Sequence, residues 1–434
     1  MKRALLLLAA LSSPALAALT APESKIVATV DAEHDRDIAL LQKLVDQNSG
    51  TRNFAGVRAV ADMMKAELEP LGFTVRWVDM EAKTHRAGHL LAEHKGDGKG
   101  RHILLIGHMD TVFEKDSPFQ KFVRRGDTVE GPGVDDMKGG LVVMVAALRA
   151  MKAAGTLAHA DIRIVLSGDE ESAGNPVDLA RADMVEAGKW ADAAMEYEGL
   201  ATEDGKDVGS IARRGSISWI LTATGHTAHS AGVFGEGVGF GANYELVRII
   251  DRFRRELREP NLTYNVGLLL GGVQAEPTSA EAIAGSASGK SNIVAAKAIA
   301  NGDIRALSNE QAKRIEDEMR VIVADHLPGT SAEISFREAY PAMAPTEGSR
   351  ALLKDLNAAN ADLGFPQMAE LDPMKRGAGD IAFVAPYVSG LVGTGIAGGG
   401  AHAAGETADL TSIARQAKRD AILMSRWSRI KRSR

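Results

Sequence analysis

The sequence predicts a discontinuous α/β domain with a mainly parallel central sheet, interrupted by a smaller α+β unit. Three observations predict it. At 434 residues the chain is about three times a typical single-core length, so more than one core is expected. Through the first half, continuous apolar runs alternate with helical patterns, as strands covered on both faces require. Near Arg214 the texture changes to polar/apolar alternation, and after Pro328 the α/β texture returns.

The elements follow in order. Lys2 and Arg3 precede an apolar run, residues 4–10, and Ala15-Leu16-Ala17 forms a small-x-small cleavage site. That order describes a secretory signal peptide over residues 1–17, which places the mature protein in the periplasm or outside the cell. A helical pattern begins at Asp31. Phe54, Val57, Ala61, Met64 and Leu68 then share one helical face, ahead of a strand over 74–78. Residues 102–107 read as a buried strand, 141–151 as a buried helix, and 162–166 and 193–197 as further buried strands. From 216 to 224 polar and apolar residues alternate, which suits a sheet with one open face. A charged helix over 244–258, strands over 266–270 and 299–307, and a second charged helix over 309–326 complete the insert. An apolar strand over 390–393 belongs to the returning α/β domain. The expected divisions are residues 18–213, 214–328 and 329–434.

Composition excludes several classes of function. There are 51 Lys plus Arg against 57 Asp plus Glu, a net charge of -6, which is the wrong balance for binding nucleic acid through bulk charge. No Cys is present, so disulfide scaffolds, thiolate metal sites and cysteine nucleophiles are excluded together. Any metal must be held by His, Asp and Glu. Beyond the leader no apolar stretch reaches spanning length without charges or glycines, so no membrane span is expected after cleavage.

Polar residues cluster at the C-terminal ends of the predicted strands, where open α/β sheets present their ligand sites. His108-Met109-Asp110 ends the first. In an extended segment His108 and Asp110 point to the same side, and a metal-binding His needs a carboxylate on its other ring nitrogen. The Gly-rich loop 131–140 carries Asp135 and Asp136 into the buried helix. Either acid can cap that helix or bridge two cations. Asp169-Glu170-Glu171 ends the strand over 162–166, where adjacent buried acids are costly unless paired. Glu196 and Glu198 end the next strand, and His402 follows Gly398-Gly399-Gly400. Singly, each motif also fits a solvated turn. Jointly, two His and several carboxylates without Cys suit a two-cation hydrolytic centre.

This ordered set resembles the M20 metallopeptidases, especially their glutamate carboxypeptidase branch. The resemblance covers nearly all of the mature chain: His108-x-Asp110, Asp136-Met137-Lys138-Gly139, Asp169-Glu170-Glu171, Glu198, His229 and His402. It implies a zinc-exopeptidase-like catalytic domain interrupted by a lid and dimerisation domain. It further implies two Zn2+ ions bridged by Asp136 rather than Asp135, one bound by His108 and Glu198, the other by Glu171 and His402. Glu198 is preferred to Glu196 by its place in the motif. Glu170 is implied as general base, acting on a water between the metals, and Asp110 as the residue that orients His108. The bond between Asp136 and Met137 is expected to be cis.

In the insert, His229 of Gly225-His226-Thr227-Ala228-His229 matches the family's substrate-contacting His. Asn292 and Arg305 match positions that bind the substrate's C-terminal carboxylate, and the planar fork of Arg suits that task. In relatives the His can enter from a partner subunit, which implies a homodimer. Lys206, Arg213 and Arg214 are further candidates for positive charge near the cleft. The implied activity is removal of a C-terminal amino acid, glutamate-like by preference, from a small peptide or N-acyl amino acid. A broader dipeptidase or an N-acyl-amino-acid amidohydrolase is the runner-up, and a non-catalytic periplasmic metal-binding protein is the alternative from another class. Gly377-Ala378-Gly379-Asp380 departs from relatives that often carry Ser or Thr before the Asp. Residues 393–398 match a dinucleotide fingerprint formally. Too little chain follows for the second strand and ribose-binding acid that such a site needs.

Overall fold

The computed structural model describes residues 19–279 and 283–432, so the expected signal peptide lies outside the described residues. Helix α1 (Ala21–Asp46) begins earlier than the Asp31 expected. Thr20 caps it and Glu23 closes a reciprocal capping box. Helix α2 (Phe54–Leu68), capped by Asn53, leads to strands β1 (Thr74–Asp79), β2 (Gly88–His94) and β3 (His102–His108). After a long loop come helix α3 (Gly139–Ala153), β4 (Asp161–Ser167), helix α4 (Ala182–Trp190) and β5 (Ala193–Glu196). The insert contributes β6 (Ser216–Gly225), helix α5 (Ala242–Glu256), β7 (Thr263–Gly272), β8 (Lys297–Arg305), helix α6 (Asn309–Ala324) and β9 (Thr330–Tyr340). Helix α7 (Glu347–Leu363), β10 (Gly390–Val392) and helix α8 (Thr411–Trp427) follow.

The larger sheet has the order β1-β2-β4-β3-β5-β10. Its β4–β3, β3–β5 and β5–β10 pairings are parallel, and the two pairings at the β1 edge are antiparallel. Strand β3 explains its own unbroken apolar run. Ile103 and Leu105 pack into a core with residues of α1, α3 and α8, while Leu104 and Ile106 pack into a second core with Met184, Ala187 and Ile381. Both faces are covered, so residues 103–107 carry no polar side chain and polarity returns at His108.

The smaller sheet is antiparallel, with the order β7-β8-β6-β9. On β6, Ile217, Trp219, Leu221 and Ala223 pack against Leu246, Ile249 and Phe253 of α5 and Ile315 and Met319 of α6. Alternation along β6 therefore reports one covered face and one open face, as expected. Strand β9 lies beyond Pro328 and pairs with β6 along its whole length, so this sheet extends to Tyr340, past the expected division at 328. The strand expected over 299–307 is shifted two residues earlier, because its pairing with β6 runs from Lys297 to Ile304. Arg213 and Met343 pair backbone to backbone where the chain leaves and re-enters the larger unit. Among the described residues, no helix is long and apolar enough to cross a membrane.

Candidate metal centre

Successive strand ends bring the candidates together. His108, the last residue of β3, is buried; its Nε2 lies 2.9 Å from Asp136 Oδ1 and 3.5 Å from Glu198 Oε1. His402 Nε2 lies 3.1 Å from the other Asp136 oxygen and 3.1 Å from Glu171 Oε2. His108, Asp136 and Glu198 form one group whose ligand atoms lie within 4.8 Å of one another, and Asp136, Glu171 and His402 form a second. Asp136 is common to both. Glu198, not Glu196, faces His108; Glu196 accepts the backbone N–H of Ile381 and an ion pair from Arg213.

The loop bearing Asp136 is seated by the chain around it. The Asp136–Met137 bond is cis, as expected. A Cβ at Gly140 would lie 1.8 Å from the Tyr197 carbonyl oxygen, so only glycine lets α3 start this close to the end of β5. His402 sits in the hairpin between residues 397–399 and 407–409, whose second arm pairs with residues 128–130, just ahead of the Asp136 loop. Glu406, in the same hairpin, is fully buried. It accepts the backbone N–H of Gly133 at 2.9 Å, Asp135 at 2.7 Å and Asp136 at 2.9 Å.

Asp110 does more than orient His108. Its Oδ1 lies 3.4 Å from His108 Nδ1 and its Oδ2 accepts the Thr51 hydroxyl at 2.6 Å. The same carboxylate accepts the backbone N–H groups of Glu170 and Glu171 at 3.0 and 3.1 Å. One buried side chain thus fixes a histidine and the acidic turn together. Arg213 is locked onto Glu196 at 2.8 Å and Glu198 at 2.9 Å rather than free in the cleft, and Arg214 donates to Thr263 Oγ1 and the Met374 carbonyl. Lys206 is exposed in a short hairpin with Thr202–Glu203.

The electrostatics fit a demand for positive charge. Burial opposes ionisation of His108, yet hydrogen bonds to Asp110, Asp136 and Glu198 hold it well above the usual imidazole range. Hydrogen bonds to Asp136 and Glu171 push His402 up to about 11. Burial pushes Glu171 up to about 7 despite its bond to His402, and it pushes Glu170 well above the usual carboxyl range. Glu171 Oε1 is buried without a hydrogen-bond partner. An oxygen-and-imidazole donor set with an unpartnered carboxylate oxygen fits a pair of borderline divalent cations. Beside the cluster a cavity of about 610 Å³ is lined by Asp135, Glu198, Glu203, Lys375 and Arg376 among others.

The remaining site candidates lie on the insert. His229 and Asn292 are adjacent: Ser230 N–H donates to the Asn292 carbonyl and His229 bridges to Ile293. Arg305 is elsewhere, with Nε 2.8 Å from Asp303. Strand β8 separates them, since its Lys297 end lies beside Thr224 and its Ile304 end beside Ile217. At about 3.3 Å per residue this is roughly 26 Å. Within one chain, therefore, Asn292 and Arg305 do not share a carboxylate.

The sequence profile of Peptidase family M20/M25/M40 matches residues 104–424. The chain belongs to this family. It is accordingly a hydrolase of peptide (amide) bonds. This M20 chain is similar to carboxypeptidase G2 of Pseudomonas sp. (strain RS-16), with 27% identity over 402 residues, 87% of this chain and 86% of that relative. Its fold is similar to that of a tripeptidase from Staphylococcus aureus subsp. aureus mu50, with TM-score 0.70, 18% identity and coverage of 92% and 99%. It is also similar in fold to a dinuclear metal-binding M20 peptidase of Bacillus subtilis, with TM-score 0.64, 17% identity and coverage of 92% and 100%.

Proposed function

We propose that this M20 peptidase is an exported, zinc-dependent exopeptidase that removes a C-terminal residue, glutamate-like by preference, from a small peptide or N-acyl amino acid. The observation that supports it most is Asp136, which offers one oxygen toward His108 and the other toward His402. His108 and Glu198 would hold one zinc ion, Glu171 and His402 the other, with Asp136 between them. Bound there, two zinc ions would supply Lewis acidity for amide hydrolysis.

The chain's own groups perform the rest. Glu170 takes a proton from the attacking water and delivers it to the departing amine. Asp110 keeps His108 and the Glu170 backbone in register. Arg305 holds the free carboxylate of the substrate through two parallel hydrogen bonds. His229, with Asn292 beside it, donates to the developing oxyanion. The separation of these two from Arg305 along β8 supports the reading that they reach the site from a second copy of the chain, in a homodimer.

The deciding experiment is hydrolysis of dipeptides and N-acyl amino acids ending in Glu, Asp, Ala or Leu, with and without chelator, each also as its C-terminal amide. Chelator-sensitive cleavage of free acids but not amides, fastest for Glu, is expected. Equal cleavage of acids and amides refutes carboxylate recognition and favours an amidohydrolase with a looser pocket. Absence of cleavage in zinc-loaded protein refutes the exopeptidase reading.

A further inference from the structure

The two places where the chain crosses between the larger unit and the insert each carry a side chain that grips the acidic centre. At the outgoing crossing, Arg213 N–H donates to the Met343 carbonyl and Met343 N–H to the Arg213 carbonyl, while the Arg213 guanidinium lies 2.9 Å from Glu198. At the returning crossing stands Tyr340, the last residue of β9. Its hydroxyl donates to the backbone carbonyl of Glu170 at 2.8 Å and accepts from Arg181 Nη2 at 2.9 Å.

Arg181 is a buried hub. It donates to Asp169 Oδ1 at 2.6 Å and to Asp380 Oδ1 at 2.7 Å, and Asp380 accepts the Ser167 hydroxyl at 2.5 Å. The turn 169–171 is therefore held from two sides. Asp110 takes the N–H groups of Glu170 and Glu171, and Tyr340 takes the carbonyl of Glu170. Only the second contact belongs to the insert. A rotation of the insert about its two crossings displaces the Tyr340 hydroxyl, and with it the peptide plane between Glu170 and Glu171.

We propose that Tyr340 is a positioning residue through which the seat of the insert sets the backbone of the Glu170 turn. The inference rests on Glu170 being the general base. Loss of the hydroxyl frees the Glu170 carbonyl and takes one acceptor from Arg181, while every metal-ligating and substrate-binding side chain is kept. The effect belongs in turnover, because a base displaced by a few tenths of an ångström loses rate rather than substrate affinity.

The test is Tyr340→Phe, which keeps the ring and its edge contact with Phe383. Expected are a kcat lowered about tenfold at unchanged KM, two zinc ions per chain as in wild type, a thermal midpoint lowered by at most a few degrees, as for the loss of one buried hydrogen bond in a chain of this size, and faster hydrogen exchange at the Glu170 and Glu171 amides. Wild-type kcat in the zinc-loaded variant overturns the proposal. So does a lowered thermal midpoint with unchanged kcat per zinc-loaded chain, which marks a purely structural contact. Glu170→Gln separates the two readings. If it retains turnover, the general-base reading fails; if it abolishes turnover while Tyr340→Phe is normal, only the positioning role fails.

Discussion

Replacing Glu406 by Gln removes one charge and reverses the polarity of one oxygen, in a place where every contact is a backbone N–H. Glu406 Oε1 accepts from Asp135 and Asp136, and Oε2 accepts from Gly133. The better amide orientation keeps its oxygen on Asp135 and Asp136 and turns its NH2 toward the Gly133 N–H. Two charge-assisted bonds become neutral ones, at about 1 kcal/mol each, and two buried donors, the Gly133 N–H and the amide NH2, are left without an acceptor, at about 1 kcal/mol or more each. The expected loss is about 4 kcal/mol, concentrated in the loop that presents Asp136. Part of it appears as weaker metal binding, about 10–100-fold, as for other side chains that orient a metal ligand. Chelator competition on the zinc-loaded variant measures the second effect, and urea unfolding of the metal-free variant measures the first. A Glu406→Gln protein with wild-type zinc affinity and an unchanged urea midpoint would refute the reasoning, because the three contacts would then carry no energy.

Three further outcomes are expected. Glu170→Gln should keep both metals and lose about 10²–10⁴ in kcat, whereas Glu171→Gln should lose metal from one site; metal analysis beside steady-state kinetics separates them, and equal metal content in the two variants contradicts the assignment. His229→Ala and Arg305→Ala should each be nearly inactive alone, yet mixed and allowed to exchange subunits they should regain activity, since each mixed dimer rebuilds one complete site; no recovery despite exchange would place both residues in one subunit's site. Expressed with its leader in a bacterial cell, the protein should be recovered from the periplasmic fraction beginning at residue 18, and intact mass spectrometry showing residues 1–17 retained would remove the export reading.

The metal-binding candidates were legible because they interrupt strong patterns. His108 ends a strand that is apolar on both faces, and Asp169, Glu170 and Glu171 end another, so their polarity had no packing explanation. The start of α1 was also written in the chain, as Thr20-x-x-Glu23 with Pro22 between, although the apolar periodicity becomes clear only farther along. Glu406 and Tyr340 carried no such mark. The contacts that tie them to the site are with backbone groups of the Asp136 loop and the Glu170 turn, and a peptide N–H or carbonyl has the same signature at every position. Arg213 and Arg214 look interchangeable in sequence; the Arg213–Met343 pairing turns the first into the acidic centre and leaves the second toward Thr263.

The separation of Asn292 from Arg305 has a different standing, because the means to see it lay in the sequence reading itself. A strand over 299–307 ending near Arg305 already implied that anything before its first residue lies a strand length away. The structure adds which end faces the centre. Gly215 N–H donates to the Ala306 carbonyl, so Arg305 stands at the end of β8 beside the outgoing crossing. His229 and Asn292 stand at the far end, beyond Gly225 and Lys297. A side chain spans at most about 7 Å, whereas the strand between spans roughly 26 Å. Either a different residue stabilises the oxyanion, or a second copy of the chain presents His229 across the cleft. The subunit-mixing experiment distinguishes these, because recovery of activity requires that the two defects be supplied by different chains.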